Sequence, residues 1–159
     1  MLIAANENLM RVLRQVRGVA HTEFIQAEAD GHFYFLETAA RVGGANIDRL
    51  VEAATGIVLW QEAARIELAS VRREAYQPPT PRSDHAGLII CLAQQEQPDL
   101  SAYDDPEIVW RLPKKYHAGL LVASADDGRI QQLISDYNER FARDFLTSAP
   151  PKSKVRTQI

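Results

Sequence analysis

The segment from Tyr76 to Asp84, Tyr-Gln-Pro-Pro-Thr-Pro-Arg-Ser-Asp, constrains this chain most. Proline lacks a backbone N–H and fixes φ, so three prolines in four positions cannot sit inside a helix or a central strand. The 159 residues therefore divide into a part spanning 1–75 and a part spanning 85–146, joined by a proline-rich linker at 76–84. Residues 147–159, with Pro150, Pro151 and several basic residues, are expected to form a flexible tail.

The first part mixes helical and extended signals. Leu9, Val12, Leu13 and Val16 repeat at helical spacing, which predicts a helix over 6–17 capped by Asn6 and ended by Gly18. His21–Ala27 and His32–Thr38 read as strands, with Asp30-Gly31 as a hairpin turn between them. After the glycine-bearing loop Arg41-Val42-Gly43-Gly44-Ala45, the stripe Ile47, Leu50, Val51 and Ala54 predicts a helix that Thr55-Gly56 stops. A further helix is expected from Val58 to Arg73, in a segment rich in alanine and glutamate.

In the second part His85–Ala93 reads as a buried strand, followed by strands at Glu107–Arg111 and Ala118–Ser124. Asp126–Phe145 predicts an amphipathic helix through Ile130, Leu133, Ile134, Tyr137 and Phe141. His-Ala-Gly-Leu occurs twice, at 85–88 and 117–120, consistent with two similarly built strand starts. Neither part reads as βαβ repeats, so the expected class is α+β. No Gly-x-Gly-x-x-Gly or Gly-x-x-x-x-Gly-Lys-Ser/Thr motif is present, which argues against a doubly wound nucleotide fold.

Composition excludes several partners and settings. With 18 Lys+Arg against 21 Asp+Glu the net charge is −3, which offers no general attraction to a phosphate backbone, so no nucleic acid is expected. No run approaches the 18 or so apolar residues of a membrane span, so no membrane is expected either. Cys91 alone cannot form an internal disulfide, and the start Met-Leu-Ile-Ala-Ala lacks a basic leader region; the expected compartment is the cytoplasm.

The chemistry concentrates in 21–45. Glu23 and Glu37 lie on adjacent strands of one hairpin, and their relation depends on register, since a one-residue slip moves side chains to the opposite face. A two-residue turn at Asp30-Gly31 pairs Glu23 with Thr38 and turns the glutamates apart. A three-residue loop of Ala29, Asp30 and Gly31, or an equivalent bulge, sets Glu23 opposite Glu37; Gly31 suits this arrangement, which is the one expected. Facing carboxylates repel and persist when one is protonated or a cation lies between them. Mg²⁺ accepts one or two carboxylates and fills its remaining positions with water and phosphate oxygens. Arg41 follows four residues after Glu37, and Gly43-Gly44 leads to a helix start whose N–H groups are free. Carboxylates, a guanidinium and an anion-accepting helix start suit phosphoryl chemistry. Two glutamates on an exposed hairpin face with an arginine nearby also describe an ordinary ion-pair network, so spacing alone leaves both readings open.

The segment from about Gly18 to Ala69 resembles the C-terminal half of an ATP-grasp domain, nearest the biotin-carboxylase-like and carboxylate–amine ligase branches. The likeness rests on Gly-Val-x-His-x-Glu-Phe-Ile, a glycine hairpin, Tyr-Phe-Leu-Glu, Arg-Val-Gly-Gly, and two helices flanking Ala-Thr-Gly-Ile. It implies an ATP-grasp C-terminal lobe, an antiparallel sheet with flanking helices, followed by a small α+β subdomain. It also implies that Glu23 and Glu37 hold Mg²⁺ (or Mn²⁺) bound to ATP, and that Arg41, with Gly43 and Gly44, contacts phosphate or an acyl-phosphate intermediate. The implied reaction activates a small carboxylate with ATP for attack by an amine or similar nucleophile. One departure is Ala39, where many such enzymes carry an asparagine ligand two residues after the second glutamate; the second metal site is then weaker or completed by water.

In that family the adenine pocket and the phosphate-binding lysines precede the position of Gly18. Only seventeen residues do so here, so the chain alone is expected to bind ATP·Mg weakly, to turn over no substrate and to need a missing N-terminal half as partner. The alternative is a non-catalytic ATP-grasp-like interaction module, a homodimer included. Other residues read as structural: His21 on the strand beside Glu23, Cys91 and the two tryptophans as packing, and Asp104, Asp105 and Glu107 as a solvent-facing acidic turn.

Overall fold

The computed structural model describes residues 2–146, in two compact units, Met1–Arg82 and Ser83–Ile159. The expected tail lies outside the described residues. The class is α+β, with four helices and two small antiparallel sheets among the described residues. Among them, no helix is long and apolar enough to cross a membrane.

The N-terminal unit runs α1 (Leu2–Val12), β1 (His21–Gln26), β2 (Phe33–Ala39), α2 (Ile47–Thr55) and α3 (Leu59–Arg72). The expectation for α1 needs correction. Ala4 and Ala5 already favour helix, so it starts at Leu2 and Asn6 lies inside it rather than capping it. It ends early because Arg14 adopts a left-handed conformation, φ 55°. The supposed apolar stripe is open to solvent: Val12 is 79% and Val16 89% exposed.

β1 and β2 form a two-stranded antiparallel hairpin. Its loop is one residue longer than expected, spanning 28–31. Ala27 N–H donates to His32 O at 2.9 Å, Gly31 N–H donates to Ala27 O at 2.9 Å, and Gly31 supplies the left-handed φ of 68°. The Asp30 carboxylate accepts from His32 N–H and the Tyr34 hydroxyl, which holds its pKa below the usual value. Phe24 pairs Phe35 while Glu23 pairs Glu37, so Leu36 is an extra, unpaired residue in a β-bulge.

The linker is tied back onto its own unit. Arg82 N–H donates to Thr55 O at 2.8 Å, and the Tyr76 hydroxyl donates to the buried Glu62 carboxylate at 2.7 Å, which in turn accepts from Arg65. Val42 is the one buried hydrophobic side chain of this unit among the described residues.

The C-terminal unit comprises β3 (His85–Leu92), β4 (Ile108–Arg111), β5 (His117–Ser124) and α4 (Asp127–Asp144). Both His-Ala-Gly-Leu segments open strands, and these pair with each other. The sheet order is β3-β5-β4, all antiparallel. Asp126 caps α4 by accepting from Arg129 N–H, and Ile130, Leu133, Tyr137 and Phe141 form its buried stripe. They close over Ile89, Ala118, Leu120 and Val122, with Tyr103, Phe141 and Phe145 in mutual ring contact. Cys91 is only partly buried; it packs against this core and its thiol pKa is raised by burial.

Candidate functional site

The bulge determines the site. A four-residue turn alone would set Glu23 against Leu36, but the extra residue in β2 moves the register by one and sets Glu23 directly against Glu37. Cross-strand partners share a face, so the two carboxylates project from the same side of the hairpin. On the other face the Thr22 and Thr38 hydroxyls hydrogen-bond at 2.8 Å, and Thr38 also donates to His21 O at 3.2 Å. These bonds hold the register that pairs the glutamates.

The two carboxylates differ in their surroundings. Glu23 Oε1 lies 3.0 Å from His21 Nε2, whose ring is largely buried, whereas Glu37 is exposed and has no ion-pair or hydrogen-bond partner among the described residues. His21 is held in turn by the loop after β2. Gly43 is buried, and a Cβ there would lie 3.0 Å from His21 Nδ1 and 3.2 Å from the Ile47 side chain. The close approach permitted by Gly43 is thus to protein. Sequence reasoning treated His21 as structural and missed that it grips Glu23; its position two residues before the glutamate, on the same strand face, was the available signal.

Arg41 follows β2 and is exposed; its Nη1 donates to Val42 O at 3.0 Å, which leaves the rest of the guanidinium fork open. Gly44 is exposed as well, and a Cβ at that position would sit 3.9 Å from Arg41 Nη1. The helix start expected near Ala45 lies at Ile47, because Ala45 and Asn46 are both left-handed, and no side chain caps its N–H groups.

Hard oxygen donors in a facing pair fit a divalent cation shared with water and phosphate oxygens. They do not make an all-protein cage: among the described residues no group of three or more His, Cys, Asp or Glu gathers where a metal could be held.

The strongest polar network lies in the other unit. Arg129 donates to Asp105 at 2.6 Å and to Glu107 at 2.9 Å, and the Tyr137 hydroxyl donates to Asp105. These bonds lower the Asp105 and Glu107 pKa values, the Tyr137 bond acting first on Asp105 and the Arg129 bonds on Glu107. Burial, reinforced by the bond to Asp144, pushes the Tyr103 phenol up to about 12. Asp105 and Glu107 therefore anchor α4, whereas Asp104 of the same turn is exposed as expected.

No family model matches the chain, and no curated protein matches it.

Proposed function

We propose that the N-terminal unit is the metal-carboxylate lobe of an ATP-grasp ligase, acting on a small carboxylate with ATP and Mg²⁺ for attack by an amine or similar nucleophile. The observation that carries this reading is the pairing of Glu23 with Glu37 on one hairpin face, with Glu37 unpaired among the described residues. Like charges in that position repel, and a shared divalent cation relieves the repulsion. When bound, the cation neutralises charge on the ATP phosphates. Glu23 and Glu37 hold it, His21 orients Glu23, and the open Arg41 fork binds the anionic oxygens of the activated group. The lysines and adenine contacts that complete such a site belong to a complementing ATP-grasp half.

Mn²⁺ binding followed by electron paramagnetic resonance, with and without ATP, tests this reading. The chain should bind Mn²⁺·ATP weakly. Glu23→Gln and Glu37→Gln should each weaken it by about tenfold, the loss of one charge-assisted contact. Unchanged binding in the double variant overturns the metal assignment. Robust ligase or ATPase turnover by this chain alone overturns the need for a second half.

A non-catalytic interaction module is the second reading, and the exposed apolar side chains of the N-terminal unit favour it. Ile25, Tyr34, Phe35 and Leu36 of the hairpin are all at least half exposed, and Val12, Val16 and Val71 more so. A stable homodimer in sedimentation, combined with no Mn²⁺ binding, decides for it.

A further inference from the structure

A cavity of about 340 Å³ opens beside Arg41 in the N-terminal unit. Its volume falls in the range of small-molecule sites, which are mainly apolar with a few placed polar groups. Val19, Val42 and Ala63 supply apolar lining, Val42 being 4% exposed. Trp60 forms another wall. It stands 61% exposed, yet its indole N–H is pinned to Asp48 Oδ2 at 3.2 Å. With its N–H bonded to Asp48, the indole offers the cavity a large aromatic surface of defined orientation. Arg17 and Arg41 both line the cavity. Arg41 spends one donor on Val42 O, and Arg17 makes a long, exposed 3.4 Å pair with Glu67, a contact that contributes little and exchanges readily.

We propose that this cavity binds a small carboxylate carrying a flat apolar group, the carboxylate between Arg17 and Arg41 and the apolar body against Trp60. The proposal rests on the ligase reading and narrows its substrate class. An arginine fork matches a carboxylate in two parallel hydrogen bonds, and an indole face accepts a planar group by stacking. Glu67 acts as the counter-ion that the incoming carboxylate displaces from Arg17.

The test follows the Trp60 indole signal in ¹⁵N-edited NMR of the full chain, assigned with Trp60→Phe, during titration with 3-phenylpropionate, 3-phenylpropanamide and acetate. The acid should shift the signal saturably. The amide and acetate should bind at least tenfold more weakly, since the one lacks the charge and the other the apolar body. Arg17→Gln and Arg41→Gln should each cost about tenfold, as expected for one charge-assisted contact. Glu67→Gln should tighten binding severalfold, and this gain is not something an unfolded variant can imitate. Equal responses to acid and amide, or indifference to all three substitutions, overturns the proposal. Carboxylate binding that persists where Mn²⁺ binding is absent overturns the ligase reading and leaves the cavity assignment standing; Mn²⁺ binding without carboxylate binding does the reverse.

Discussion

The two units handle their apolar residues in opposite ways. In the C-terminal unit α4 lies across the β3-β5-β4 sheet, and Tyr103, Leu120, Val122, Leu133, Tyr137 and Phe141 are almost fully buried. In the N-terminal unit one hydrophobic side chain reaches that state among the described residues, while Leu13, Val16, Ile25, Phe35 and Trp60 stay at least half exposed. Its sheet has two strands, and a lone hairpin is marginal in water. The C-terminal unit is organised around its own interior. The N-terminal unit presents its apolar groups outward, on the same part of the chain that carries Glu23, Glu37, Arg41 and the Trp60 cavity. Stability and candidate chemistry are thus separated along the sequence.

The largest expected effect comes from cutting the interior. Phe141→Ala should destabilise the C-terminal unit by about 3–5 kcal/mol, read from urea unfolding followed residue by residue in NMR. If the N-terminal signals melt at the same lowered midpoint, the two units do not differ in the way the burial implies. Next comes the Arg129 anchor. Asp105→Asn should cost about 1.5–3 kcal/mol at neutral pH by weakening bonds to Arg129 and Tyr137. The Asp105, Glu107 and Asp144 pKa values are lowered in the folded state, so their stabilisation is complete above the ordinary carboxylate range and is lost as pH falls through the lowered values. The urea midpoint of the C-terminal unit should therefore fall below about pH 4, and less steeply in Asp105→Asn.

A smaller effect is expected in the other unit. Gly43→Ala should cost about 1 kcal/mol, because the new Cβ crowds His21 and Ile47. It should also weaken Mn²⁺ binding by displacing His21 from Glu23. Unaltered metal affinity would confine His21 to packing. The smallest effect belongs to the exposed valines at the end of α1 and just after it. Val12→Ser with Val16→Ser should change unfolding by less than about 0.5 kcal/mol, since both side chains are already in water. A loss of self-association in the same variant, seen by sedimentation, would show that this stretch is a contact surface.

Elements built on local pattern were legible in the sequence. α2, α3, α4 and all five strands fall within a residue or two of expectation, because periodicity and turn residues are local properties. The glutamate pairing was legible as a choice between registers, although the loop proved longer and a bulge restored the count. What failed depended on distant partners. The exposed stripe of α1 looks the same in sequence as a buried one, since burial is decided elsewhere in the fold. Asp105 and Glu107 read as a solvated turn because Arg129 lies more than twenty residues on. Trp60 read as packing, and nothing local announces that it stands exposed beside two arginines.

The threonine pair behind the glutamates carries a consequence for how this hairpin tolerates change. The strands lie together bulged at Leu36; a straight register would set Glu23 against Leu36 and turn Glu37 to the far side. The Thr22–Thr38 bond forms only in the bulged register, so two neutral hydroxyls on the reverse face favour the meeting of the two acids. A one-residue deletion at the bulge should keep Glu23 opposite Glu37, whereas replacing a threonine should loosen the hold on that pairing. The acidic face is inherited through its reverse side.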